Sequence, residues 1–336
     1  SSYSAEGRDP VTGAIIYNTE ENGSGELTDG GTTFSTNRNI YMEGSLNYAR
    51  LFATKHDVGA MALVYRKERV RQEGGINLIT RLPNRIQGYV GRVTYAYNRR
   101  YSAEVNVGIT GSEQFAEGHQ YGMFPAAGVA WIISNEPYYP EGLKNIISTF
   151  KLRASAGLTG NDDVGKDAND NPLRFLYRGG FQGGPGFALG YNAGGSLVAL
   201  WGYIQDEFAA PVLSCEREMK RNYAIDLGFW RNKINLTVEV YNNLRTDILL
   251  RRQTVSQVAG FRESPWQNFG TVSNKGFDAS ITANHQIGDH SFGVRGNYTF
   301  ARNKILERDE VPQLYPYMNE TGQSLNTPYI YQADRL

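Results

Sequence analysis

Apolar and polar residues alternate through 220–230, with Arg221, Tyr223, Ile225, Leu227 and Phe229 on one face and Lys220, Asn222, Asp226 and Gly228 on the other. After Arg231-Asn232-Lys233, the next stretch sets Ile234, Leu236, Val238 and Val240 against Asn235, Thr237, Glu239 and Tyr241. A period of two is the signature of a strand with two unlike faces. The same pattern predicts ten strands, near 40–52, 58–67, 89–98, 101–110, 121–133, 150–159, 220–230, 234–241, 275–285 and 291–300. Stretches 58–67 and 121–133 read as strands whose facing the pattern does not define. Connections run short and long in turn. Turns 54–57, 98–100, 231–233 and 286–289 are short; 68–86, 110–120, 160–214 and 247–266 are long. Segment 134–147 breaks the rule, and Pro137 and Pro140 make it an irregular link. Residues 1–38 and 304–336 read as loop, and 160–214 holds short strands near 172–178 and 196–205.

This pattern fits an all-β, antiparallel transmembrane β-barrel segment with short periplasmic turns and long extracellular loops. Glu104, Lys151, Arg153, Asp226, Glu239, Asp278 and Arg295 sit mid-strand opposite the apolar row. A basic residue facing lipid at mid-membrane costs about 2–4 kcal/mol, so the apolar row is expected to face lipid. Arg50 interrupts that row near a strand end, where its stem reaches the headgroups. Phe52, Tyr97, Tyr101, Phe150, Phe229 and Trp230 gather at the short-turn ends as an interfacial girdle would. A soluble β-rich binding module with its apolar face inward shares the alternation. A complete small barrel of ten strands, a pore or a hydrolase, is a second alternative.

Composition adds little to this picture. The 336 residues carry a formal charge of +0, 40% hydrophobic and 12% aromatic residues, and the mean hydropathy is −0.47. No apolar run is long enough for a transmembrane helix, a test that strands evade. Balanced charge argues against a nucleic-acid partner. Cys215 is alone, so an intrachain disulfide and a cysteine metal cage are both excluded.

Candidate chemistry is sparse. Asp167, Asn169 and Asn171, with Asp163 nearby, open like a calcium loop, but Pro172 stands where the turn glycine belongs and no glutamate closes the site. A solvated loop is the expectation, and no cofactor is expected. The glycines at 179–190 lack the spacing and the strand-to-helix junction of a phosphate cradle. His56, His119, His285 and His290 form no zinc signature. No nucleophile elbow or triad emerges, so no enzyme is expected. Arg92, Glu104, Arg153, Asp226, Glu239 and Arg295 read as a hydrated inner wall with candidate solute contacts. Trp201, Tyr203 and Trp266 lie in long connections, where exposed rings would stack on sugars or grip a partner.

Several segments resemble the SusC/RagA family of TonB-dependent outer-membrane transporters. Tyr121-Gly122-Met123-Phe124-Pro125-Ala126-Ala127-Gly128-Val129-Ala130-Trp131 is similar to its Phe-Pro-Ser…Gly-Trp segment, with Ala126 for Ser. Residues 151–161, Lys-Leu-Arg-Ala-Ser-Ala-Gly-Leu-Thr-Gly-Asn, and 268–278, Asn-Phe-Gly-Thr-Val-Ser-Asn-Lys-Gly-Phe-Asp, resemble two further runs. Leu46-Asn47-Tyr48-Ala49-Arg50-Leu51-Phe52 also fits. Cys215-Glu216 departs from the family's usual Trp-Glu. The ordered set covers about 40–305.

The resemblance implies a 22-stranded barrel with an N-terminal plug and a TonB box. On that basis 1–336 is expected to be a middle section, about ten strands, with plug, box and remaining strands outside it. It further implies active import of a bulky nutrient, most often an oligosaccharide and sometimes a peptide. The implied setting is the outer membrane of a Gram-negative, Bacteroidota-like cell. Outer-membrane lipid would surround the barrel, a SusD-like surface lipoprotein would cover its mouth, and TonB would act through the plug.

Overall fold

The computed structural model describes residues 2–20, 35–73, 81–166, 172–191, 194–205, 207–256, 258, 260 and 263–328. All ten expected strands form, and they make one antiparallel sheet. They are β3 (Ser35–Phe52), β4 (His56–Glu73), β5 (Asn84–Tyr97), β6 (Tyr101–Ser112), β7 (Tyr121–Ile132), β8 (Ile147–Asn161), β11 (Glu216–Phe229), β12 (Ile234–Arg251), β13 (Trp266–Ile287) and β14 (His290–Glu307). Each pairs with its neighbour in the chain; only β8 to β11 skips, where β9 (Phe181–Tyr191) and β10 (Leu197–Gln205) form a hairpin of their own. The edges of the large sheet are β3 and β14.

Three sequence expectations are corrected. The start of the chain is not all loop, because β1 (Ser2–Arg8) and β2 (Ile15–Glu20) pair and β3 begins at Ser35. Stretch 172–178 is not a strand: Phe175 has φ 55°, and Leu176 turns into a buried cluster. The glycine-rich run beyond it is the strand instead, β9, because its small residues let β10 lie close. In the irregular link, 141–146 form a short helix, α1 (Glu141–Ile146), entered through Pro140.

The short turns need little beyond backbone geometry. Ala53 and Thr54, and Asn98 and Arg99, take positive φ in pairs, the twist that closes a tight hairpin.

Register defines the sheet's slant. One row of paired residues crosses Phe52, His56, Tyr97, Tyr101, Trp131 and Leu152, then Ile225, Val238, Ala279 and Tyr298. It meets β3 at that strand's last residue but crosses β14 eight residues inside its turn end, from Tyr298 to His290. The stagger is thus close to one residue per strand, the shear that closing a tilted barrel requires. The other edge of the apolar band slants the same way. On β4 the outward run from His56 to Val64 ends at Arg66; on β14 the run from Phe292 to Phe300 ends at Arg302. Each run is about nine residues, the length with which a tilted strand spans hydrocarbon.

The same register settles the two undefined facings. Tyr121, Met123, Val129 and Trp131 share the outward face with Ile109, Ala103 and Tyr101, while Gly122, Phe124, Ala126 and Gly128 point inward. On β4, Val58, Ala60 and Val64 face outward, and Met61, Leu63 and Tyr65 inward.

The apolar face is not folded into a core. Leu46 is 79% exposed, Val294 71% and Val105 52%, whereas the side chains of Asp226 and Glu239 opposite are 24% and 29% exposed. No helix among the described residues is long and apolar enough to cross a membrane. The buried cluster lies in the long connections: Phe115, Val164, Leu176, Ala210 and Leu213, with Leu249 and Trp266 against it.

Candidate functional site: the polar wall and its mouth

The inner face of β3–β8 and β11 forms a trough of about 760 Å³. Its floor is built of small residues, Ala126, Gly128 and Ala130 on β7 and Ser155 and Gly157 on β8. Alternation places every second residue inward, which brings Ala126, Gly128 and Ala130 of β7 beside Ser155 and Gly157 of β8 on that floor. Charged banks stand on both sides.

On one bank Arg92 Nε lies 3.2 Å from Glu104 Oε1, and Asn106 Nδ2 donates to the same oxygen at 2.8 Å. On the other, Arg153 Nε donates to Asp226 Oδ2 at 2.8 Å and its Nη2 to Glu239 Oε1 at 2.7 Å. Thr237 Oγ1 donates to Asp226 at 3.0 Å and Asn222 Nδ2 to Glu239 at 3.2 Å. Three strands thus meet in one network, held by a guanidinium whose fork suits two carboxylates. Asp278 sits directly opposite Glu239 in the register, and its buried Oδ1 has no partner among the described residues. Such a wall can exchange hydrogen bonds with a polar solute on both banks while holding water between them.

The structure brings Arg153, Asp226 and Glu239 together and pairs Arg92 with Glu104. Arg295 stands apart, exposed on β14 opposite Thr282. Trp201 and Tyr203 lie on β10 at 78% and 84% exposure, opposite Gly186 and Gly183 of β9. Trp266 is placed differently. It is the first residue of β13, packs on the loop cluster, and carries Arg251 over its ring at 4.8 Å. Asp163 binds the backbone N–H of Gly165 at 2.9 Å, while Asp167, Asn169 and Asn171 lie outside the described residues. His56 opens β4 and meets Tyr95 OH at 2.8 Å within the aromatic row at the turn edge, where Tyr101 also stacks on Trp131.

Sequence reasoning missed the residues that tie the mouth together. Asn268 accepts from the N–H of Ser214 at 2.9 Å and donates to the carbonyls of Ser214 at 2.9 Å and Asp247 at 2.7 Å. Asp309 accepts from Arg252 Nε at 2.6 Å, Thr254 Oγ1 at 2.7 Å and Gln253 N–H at 2.8 Å. Burial pushes the Asp309 carboxyl up, but these donors outweigh it and hold it at about 2. Asn268 belongs to a recognised motif, which was its only signal. Asp309 had none, because its partners are some 55 residues away.

No protein-family model matches the chain. It is 29% identical over 244 residues to TonB-dependent receptor P39 of Formosa agariphila, covering 72% of this chain and 21% of the relative. It is 25% identical over 225 residues to TonB-dependent receptor SusC of Bacteroides thetaiotaomicron, covering 67% of this chain and 21% of the relative. The chain therefore spans about a fifth of the length of these curated relatives. In fold it is similar to the RagAB peptide importer in its closed-closed state, with a TM-score of 0.65 at 18% identity over 86% of this chain and 33% of that one.

Proposed function

On the premise that this chain belongs to the SusC/RagA-type TonB-dependent receptors, we propose that it forms one side of a larger outer-membrane barrel that imports a bulky nutrient. The remaining strands, the plug and the TonB box lie in chain outside these residues. The observation that carries the reading is the inverted exposure of the two faces: hydrocarbon outward and bare, charge inward and networked. Water accounts for the inner face and lipid for the outer. An isolated sheet with β3 and β14 as edges would leave backbone groups unpaired in hydrocarbon, so the rest of the barrel must meet those edges.

The solute proposed is an oligosaccharide. Hydroxyl and amide groups line the trough beside the charges, and Trp201 and Tyr203 offer open ring faces at the mouth. A peptide is the second reading, favoured by the mixed charges of Lys151, Arg153, Asp226, Glu239 and Asp278, which suit a zwitterion. A SusD-like lipoprotein is the proposed cover, and the β9–β10 hairpin, apolar and exposed on both faces, is a surface for it. TonB supplies the work through the plug. The chain acts here as a wall and a filter rather than as an enzyme.

Uptake of labelled oligosaccharides and peptides by cells carrying the intact gene tests this. Uptake that stops when TonB is deleted or the proton-motive force is collapsed is the expected result, and the favoured solute class decides between the two readings. Uptake indifferent to energy would make the protein a passive pore. A product that stays soluble without detergent would defeat the barrel altogether.

A further inference from the structure

On the outward face of β13 and β14 the apolar run ends at Phe277 and Phe300, opposed in the register with ring centroids 5.9 Å apart. The next outward pair is Lys275 against Arg302, and Lys304 follows opposite Ser273. All three cations are exposed, and none of the ion pairs among the described residues uses them. Like charges opposed across a ladder destabilise it. On the β12 side no acid relieves them, because the row continues through Asn242 on β12 and Arg221 on β11. The cations also line a recess of about 730 Å³ with Ser273, Ser324 and Thr327, and no carboxylate lines it. Its far wall is built, since segment 322–325 is tied along β14 by Ile305 N–H to Gln323 O and Gly322 N–H to Ile305 O, both 2.8 Å.

We propose that this recess binds the phosphorylated head group of an outer-leaflet lipid, with the acyl chains lying over Phe277, Phe300 and Tyr298. Three cations and the Ser273 hydroxyl match the oxygens of a phosphate monoester. A lipid fits better than a soluble anion because the cations stand at the loop-side end of a nine-residue apolar run, where headgroups meet hydrocarbon. The inference rests on the barrel reading above, which places this face in the membrane.

The test uses the intact protein in nanodiscs, with bound lipid read by native mass spectrometry. The probes are lipid A, its dephosphorylated form and inorganic phosphate alone. Lipid A is expected to stay bound through detergent exchange. The combined Lys275→Gln, Arg302→Gln, Lys304→Gln variant should hold it more weakly by on the order of 100-fold, and Lys275→Gln alone by about fivefold. Arg302→Lys should keep most of the binding. Equal binding by wild type and the combined variant, equal binding of the dephosphorylated lipid, or complete displacement by inorganic phosphate would each overturn the proposal. Heat-modifiable migration on a gel checks that the variants fold; were the combined variant misfolded, Lys275→Gln carries the comparison. Vesicle flotation separates the two readings. Protein that fails to float sinks the barrel itself, whereas floating protein with indifferent variants sinks the lipid site alone.

Discussion

Arg153 is the residue on which the inner wall turns. Its guanidinium answers two carboxylates from two other strands, and its side chain is only 36% exposed. Removing it leaves Asp226 and Glu239 without their cation, next to Asp278. Arg153→Ala should lower stability by roughly 1–2 kcal/mol, between the values for exposed and buried pairs. Arg153→Lys should recover only part of this, because an ammonium cannot fork. Urea unfolding of both variants checks the order. Asp309 gives a pH-dependent counterpart at the mouth. Its carboxyl titrates near 2 in the folded chain against 3.8 for an unperturbed group. A depressed folded value means that its stabilisation is complete above about pH 4 and lost as pH falls through about 2. Protection of the Gln253 and Thr254 amides, taken relative to their intrinsic exchange rate, should therefore be high at pH 5 and fall near pH 2, and Asp309→Asn should be poorly protected at both.

Between strands, contacts join rings to glycines. Tyr65 on β4 lies over Gly88 directly opposite on β5, and a side chain added at Gly88 would collide with the Tyr65 ring. Gly88→Ala should cost about 1–3 kcal/mol as an overpacked site. Tyr65→Ala in the same protein should remove most of that penalty, so thermal unfolding of the double-mutant cycle should show strong coupling. Additive losses would mean that the ring gives way freely. Element boundaries were partly legible beforehand. Strand β6 announces itself, since Tyr101, Ala103, Val105 and Ile109 alternate with Ser102, Glu104 and Asn106. The facing of β4 and β7 was hidden, because the centre of β4 is apolar on both faces and β7 puts Phe124 inward among alanines and glycines. Pairing to β5 and β6 resolves both. Strand β9 was missed because a glycine-rich run gains its strand character from its partner, β10, rather than from its own propensity.

Across the molecule, the faces predict opposite responses at adjacent positions. Val105→Arg places a cation toward lipid and should cost about 2–4 kcal/mol in vesicle-embedded protein, while Glu104→Arg, one residue away on the wet side, should cost far less. Similar costs at both positions in reversible unfolding would refute the assignment of faces. The alternation itself determined the ten strands, their antiparallel order and the partition of charge from hydrocarbon, because strand geometry makes every second residue a neighbour on one surface. The quoted segments carried the resemblance to the SusC/RagA family. The trough floor was half visible as runs of small residues, and the inner-wall charges were named without their partners. Only the tertiary structure decided which charges meet, how far the sheet slants, where the loops knot together and that Trp266 is packed rather than displayed. Each of these depends on register between strands or on contacts across long connections, and a linear pattern carries neither distance nor stagger.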